Sequence, residues 1–121
     1  MENTNYEVSY IRVGVSDAQQ ARNFYEDILG MQLIVDRSDD GYLLFSIGSI
    51  TLIIETFSPE DMELPKGRYL GISLKVLDIA DVYQALTEQG VKFTHPPEKQ
   101  FWGGYLTEFF DPDGNVWTLL G

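Results

Sequence analysis

This chain is nearly written twice. Tyr10 to Asp17 lies over Gly71 to Asp78 at an offset of 61 residues, and each stretch alternates apolar and polar residues before closing on an aspartate. Alternation with a period of two predicts a half-buried strand, and a terminal Asp predicts a helix N-cap. After Asp17, the positions Ala21, Phe24, Tyr25, Ile28 and Leu29 follow helical spacing. After Asp78, Ile79, Val82, Tyr83 and Leu86 do the same. Gly30 and Gly90 then predict helix stops. Short strands follow at Met31 to Val35 and Val91 to Thr94. Each copy ends in a hairpin: Tyr42 to Leu52 in the first, and Tyr105 to Leu120 in the second, where Gly114 lies 66 residues beyond Gly48. A repeat of this length cannot bury its hydrophobic face alone, so two βαβββ modules must share one core.

The second hairpin has the stronger local signal. Asp111, Pro112, Asp113, Gly114 and Asn115 stand between two β-rich runs, where proline presets φ, glycine accepts positive φ, and Asp and Asn bond nearby backbone. The predicted organisation is a first module over residues 1–57, a linker over 58–68 and a second module over 69–121. The linker is charged and flanked by prolines, with a short turn expected at Glu60 to Glu63.

Composition excludes several function classes. Net charge is −11, with 11 acids and 3 bases in residues 1–61 against 8 and 5 in the remainder. Such a field repels phosphate backbones and anionic lipid, so neither nucleic acid nor membrane is an expected partner. It either favours cationic small molecules or serves solubility alone. The chain has no cysteine, hence no disulfide framework and no thiolate metal site, and a cytoplasmic location is expected. Met1 to Tyr6 is too polar for a signal peptide, and no apolar run has the length of a membrane span. Neither a nucleophile elbow nor a phosphate-cradling glycine loop is present.

The paired modules, the helix ending in Phe24 to Met31, and the Trp102 to Tyr105 and Asp111 to Asn115 elements together resemble the vicinal oxygen chelate superfamily. This is the group of glyoxalases, bleomycin-resistance proteins and extradiol dioxygenases. The resemblance runs from about Val8 to Leu120. It implies an α+β fold in which two βαβββ modules form a curved, barrel-like sheet around a cleft, and it implies a homodimer. Metal-dependent members hold a divalent ion through His, Gln or Glu at four strand positions. Carried over, these fall on Tyr10, Gly71, Thr118 and Leu52, with Glu55 as the neighbour that a shift would bring into the fourth place. Tyr, Gly, Thr and Leu do not make a metal site, because a divalent cation needs converging imidazole nitrogen or carboxylate oxygen. No metal or other cofactor is expected.

By the same resemblance, the expected function is metal-independent binding of a small flat or cationic compound, as in antibiotic-sequestering bleomycin- and mitomycin-resistance proteins. The alternative is a glyoxalase-like lyase, isomerase or dioxygenase, either metal-dependent with atypical ligands or using Glu55 and Glu108 as carboxylate acid-base groups on a small oxygenated substrate. A third reading is a regulatory module with a vestigial cleft. In the binding reading Trp102 and Tyr105 stack on the ligand, Tyr10 and Thr118 hydrogen-bond to it, and Glu55 or Glu108 neutralises its charge. Arg12, on the same strand face as Tyr10, either faces inward, where it pairs with one of those acids or receives a ligand carboxylate, or faces outward as routine surface. Glu108 is either a cleft carboxylate or a solvated outward charge. The only histidine, His95, is either a pocket-rim base or a solvated loop imidazole.

Overall fold

The computed structural model describes residues 3–56 and 64–121. Most of the expected linker, with the turn expected at Glu60 to Glu63, lies outside the described residues. The first module runs β1 (Tyr10–Gly14), α1 (Ala18–Arg22) continued by a π-helical turn (Asn23–Ile28), β2 (Gln32–Arg37), a 3₁₀ turn (Ser38–Asp40), β3 (Tyr42–Ile47) and β4 (Ile50–Glu55). The second runs β5 (Tyr69–Lys75), α2 (Ile79–Glu88), β6 (Glu98–Lys99), β7 (Tyr105–Phe110) and β8 (Val116–Leu120). Each module forms a four-stranded mixed sheet, in the orders β1-β4-β3-β2 and β5-β8-β7-β6. The first strand of each pairs in parallel with the last, and the hairpins are antiparallel.

Both helices start as their aspartates predict. Asp17 accepts from the Gln19 and Gln20 amides, and Asp78 accepts from that of Asp81. Gly30 and Gly90 stop them with φ of 72° and 90°. The first helix does not stay α-helical. The Leu29 amide bonds to the Phe24 carbonyl five residues back, and this wider turn packs consecutive residues Phe24 and Tyr25 into the core.

The strand expected at Val91 to Thr94 is reduced to a single bridge, Phe93 to Phe109, followed by the two-residue β6. Pro96 and Pro97 lack the N–H that a continuous ladder requires.

A single core joins the halves. Tyr25 packs against Phe45 of its own sheet at 6.1 Å between ring centroids and against Trp117 of the other module at 6.0 Å, while Phe24 reaches Phe109 at 6.4 Å. Leu52, Ile54, Trp117 and Leu119 are buried on the core side of their strands. The sheets remain separate and close no barrel within the chain, since β1 and β5 each end a four-stranded sheet. Alternation along the strands leaves each sheet a second, open face on the far side from this core.

Candidate functional site

The open face of the first sheet follows from its register. Arg12 lies beside Ile53 and Leu44, Gly14 beside Glu55 and Tyr42, and Tyr10 beside Thr51 and Ser46. These alternate with the buried residues Val13, Leu52, Ile54, Leu43 and Phe45, so Tyr10, Arg12, Tyr42, Ile53 and Glu55 share the side away from the core, which Leu64 and Pro65 cover at Gly14, next to buried Glu55. Arg12 Nε stands 2.7 Å from Glu55 Oε1, with side-chain exposures of 41% for the arginine and 5% for the glutamate. The approach is close enough for charge compensation but misaligned for a hydrogen bond, so Glu55 Oε1 is buried without a hydrogen-bond partner.

The second sheet carries the matching feature. Ser73 pairs with Thr118, and Thr118 with Glu108 across the β7–β8 hairpin. Thr118 Oγ1 is the other buried side-chain polar atom among the described residues that lacks a hydrogen-bond partner. Glu108 Oε1 accepts from the Thr94 hydroxyl at 3.3 Å. Leaving a buried polar atom unpaired costs about 1–3 kcal/mol, so these two atoms are local weak points of the two sheets.

The register also decides the fourth of the strand positions. Ser73 occupies the repeat position of Arg12, and their partners on the parallel strands are Thr118 and Ile53. The counterpart of Thr118 is therefore Ile53, whereas Leu52 corresponds to buried Trp117 and faces the core. The glycine alignment misses this by one residue because Gly48 and Gly114 sit in turns of different length. The four positions hold a phenol (Tyr10), a hydrocarbon (Ile53), a glycine at a strand irregularity with φ of 70° (Gly71) and a hydroxyl (Thr118). Among the described residues no three of His, Cys, Asp and Glu gather to hold an ion. This donor set does not fit the divalent metal that the resemblance would bring.

The remaining sequence candidates lie elsewhere. Tyr10 also borders a groove of about 590 Å³ with Val8, Ser49 and Ile50. Tyr105 projects on the helix side of its strand, opposite to Glu108, and lines a groove of about 840 Å³ beside α2 with Leu77, Ile79, Tyr83 and Pro97. Trp102 folds its indole over Gly104, where a Cβ would meet the ring at 1.8 Å. His95 Nδ1 lies 2.7 Å from the Pro96 carbonyl and 3.5 Å from Glu98, tied to its own loop. Tyr10, Arg12 and Glu55 thus meet on one face and Glu108 and Thr118 on the other, while Trp102 and Tyr105 join neither.

Sequence reasoning singled out Tyr42 as a candidate aromatic of the first module but missed Ile53 on the first face. It also missed the buried network behind both faces. Asp111 accepts from the Tyr25 hydroxyl, the Asn115 amide and side chain, and the Asp113 amide. Asn115 further bonds the Gly14 carbonyl and the Gly67 amide, tying β1 to the second hairpin. The signal was the Asp111 to Asn115 segment, legible only as a turn.

Two βαβββ modules of this topology, sharing one core and carrying open faces with these strand positions, define a class of paired-module proteins. The chain belongs to the Glyoxalase/Bleomycin resistance protein/Dioxygenase superfamily, whose family model matches residues 7–119. Among curated proteins it is similar to YraH of Bacillus subtilis (strain 168), 30% identical over 119 residues, covering 88% of this chain and 91% of that one. Among solved structures it is similar to a superfamily member from Sphaerobacter thermophilus DSM 20745, with 36% identity, a TM-score of 0.77, and coverage of 96% of this chain and 97% of that one. It is also similar to TnmS3, an antibiotic binding protein from Streptomyces sp. CB03234, with 27% identity, a TM-score of 0.80, and coverage of 98% and 97%.

Proposed function

We propose that the chain binds a small, flat organic molecule without a metal ion, as a cytoplasmic homodimer in which an open face of each module contributes to a shared cleft. The observation that carries this reading is the donor set at the four strand positions, Tyr10, Ile53, Gly71 and Thr118. It offers one phenol and one hydroxyl where a divalent ion needs several imidazoles or carboxylates. The likeness to TnmS3, named an antibiotic binding protein, supports a binding role over a catalytic one. Dimerisation is supported by the placement of the candidate residues: the two polar sets lie on separate sheets with the core between them, and a second copy would bring them face to face. Tyr10, Arg12 and Glu55 then act from one subunit and Glu108 and Thr118 from the other, with Trp102 and Tyr105 outside the polar centre. An acid-base role for Glu55 is less well supported, because Arg12 already holds its carboxylate.

The test is a calorimetric titration of chelator-stripped protein with Mn²⁺, Ni²⁺ and Zn²⁺, alongside sedimentation equilibrium. The expected results are no saturable metal binding and a dimer mass. Stoichiometric binding at one site per subunit would overturn the metal-free reading and point to the lyase, isomerase or dioxygenase alternative.

A further inference from the structure

The groove beside α2 belongs to neither open face. Ile79, Tyr83 and Thr87, at successive turns of α2, form one wall, and Pro97, Tyr105 and Gly121 form the other. These walls are fixed before anything enters. The Tyr83 ring meets Phe93 edge-on at 4.7 Å between centroids, and Tyr105 and Gly121 exchange both backbone hydrogen bonds. Gly121 packs directly on Ile79, where a Cβ would lie 2.8 Å from that of the isoleucine, and this closes the floor at the start of α2. Leu77 stands fully exposed at the rim and Tyr105 is also exposed, so apolar surface here still faces water. At about 840 Å³ the groove falls within the range of small-molecule sites, about 300–1,000 Å³.

The charge of the groove is one-sided and has a direction. Among the described residues no Lys, Arg or His lines it, and its two carboxylates, Asp78 and Glu88, stand at opposite ends of α2, about 15 Å apart by helix rise. They are not equivalent. Asp78 is committed as the N-cap, accepting from the Asp81 amide, and lies at the positive end of the helix dipole, so its charge is offset twice. Glu88 lies in the last turn, at the negative end, where α2 carries no basic residue. Gln84 Nε2 donates to Glu88 Oε1 at 3.4 Å, a neutral donor that orients the carboxylate without cancelling its charge. Negative potential is therefore concentrated at the Glu88 end, while the aromatic and apolar surface lies toward Tyr105 and Ile79.

We propose that this groove is a second ligand site, separate from the open faces, that takes an arylalkylammonium: a flat aromatic body against Tyr83, Tyr105 and Ile79, a cation at Glu88, and a short flexible spacer between them. Helix geometry sets the spacer. Glu88 lies about 7.5 Å further along α2 than Tyr83, a span of about four methylenes. The cation offsets both the carboxylate and the unbalanced helix end, and the aromatic body covers the phenol rings and the exposed apolar surface. The site gives Tyr105 a role that neither open face supplies, and it stands whether or not the open faces bind a ligand of their own.

Three probes of one shape test it on the full-length protein: 4-(2-naphthyl)butylammonium, the matching neutral alcohol and the matching carboxylate. NMR titrations in about 0.15 M salt, where long-range attraction to the acidic chain is screened, follow the backbone amides of Tyr83, Thr87, Tyr105 and Gly121. The ammonium is expected to bind about five- to tenfold more tightly than the alcohol, with its largest shifts at those amides and the carboxylate weakest of the three, since a cation at a helix C-terminus beside a carboxylate carries discrimination of that order. Glu88→Gln should erase the margin of ammonium over alcohol although the protein keeps nearly all of its net charge, and Tyr105→Ala should weaken both probes alike. An unchanged margin in Glu88→Gln would reduce the effect to net charge and overturn the proposal. Shifts confined to the amides of Ile53 and Thr118 would overturn it in favour of the open faces, and groove amides that move with protein concentration alone would overturn it in favour of a second copy of the chain. Failure of all three probes to shift the groove amides at millimolar concentration would overturn it while leaving the open-face reading untouched.

Discussion

The Tyr25 hydroxyl donates to Asp111 Oδ2 across 2.6 Å, linking the helix of the first module to the last turn of the second. The same oxygen accepts from Trp117 Nε1 at 2.9 Å, so one phenol satisfies two buried groups of the other module. Asp111 receives three further bonds, from the Asp113 amide and from the backbone and side chain of Asn115. A buried carboxylate is tolerable only when its lone pairs are met in this way. The clasp fixes how the two sheets sit about their common core and therefore where their open faces point.

Tyr25→Phe should cost about 2–3 kcal/mol of stability, because it leaves Trp117 Nε1 without an acceptor and Asp111 without its cross-module donor. Urea unfolding measures it. A loss below about 0.5 kcal/mol would mean that the clasp is incidental to the packing.

The same phenol predicts the alkaline behaviour. Burial, followed by the charge of Asp111, pushes the Tyr25 pKa well above its ordinary value of 10.0. A group whose folded pKa is raised contributes stability that is fully present below the unfolded pKa and is lost as pH climbs above it. Stability should thus hold to about pH 10 and fall beyond it, and Tyr25→Phe should flatten that part of the profile. Denaturant midpoints between pH 8 and 11 for both proteins decide the matter.

Asn115→Asp should destabilise more than Tyr25→Phe. The change replaces the Nδ2 donor to Gly14 and Asp111 with an acceptor and sets a second carboxylate against Asp111 in a buried position. A loss of about 3–5 kcal/mol is expected, read as a lowered thermal midpoint at pH 7. An unchanged midpoint would refute the assigned amide orientation.

Thr118→Val separates stability from binding. The Thr118 hydroxyl is buried without a partner, so an isosteric methyl should leave stability unchanged or raise it by up to about 1 kcal/mol. If the hydroxyl contacts ligand, affinity should drop while the fold gains. Measured destabilisation above about 1 kcal/mol would show that Thr118 has an internal role.

Gly104→Ala concerns the aromatic loop. The added Cβ would meet the Trp102 ring at 1.8 Å, and Trp102 is half exposed on a loop that can release it. Stability should change by less than about 1 kcal/mol while tryptophan emission shifts to the red as the indole enters water. An unshifted spectrum would mean that the ring is exposed already.

Much of this protein could be read along the chain because the determinants are local. The alternation of Tyr10 to Asp17, the helical spacing of Phe24, Tyr25 and Ile28, the Asp17 and Asp78 caps and the Asp111 to Asn115 turn each act over a few residues, and repetition of the pattern fixed two modules with one core. Tertiary structure decided the rest. Whether the fourth strand position is Leu52 or Ile53 depends on the pairing register of β1 with β4, and a slip of one residue turns a side chain from the open face into the core. Whether Arg12 meets Glu55, and whether Tyr25 meets Asp111 from 86 residues away, depends on how separate segments pack. Spacing in sequence carries the period of a strand or a helix, but long-range polar pairing is set by packing geometry, and here that geometry determines the chemistry of the open faces.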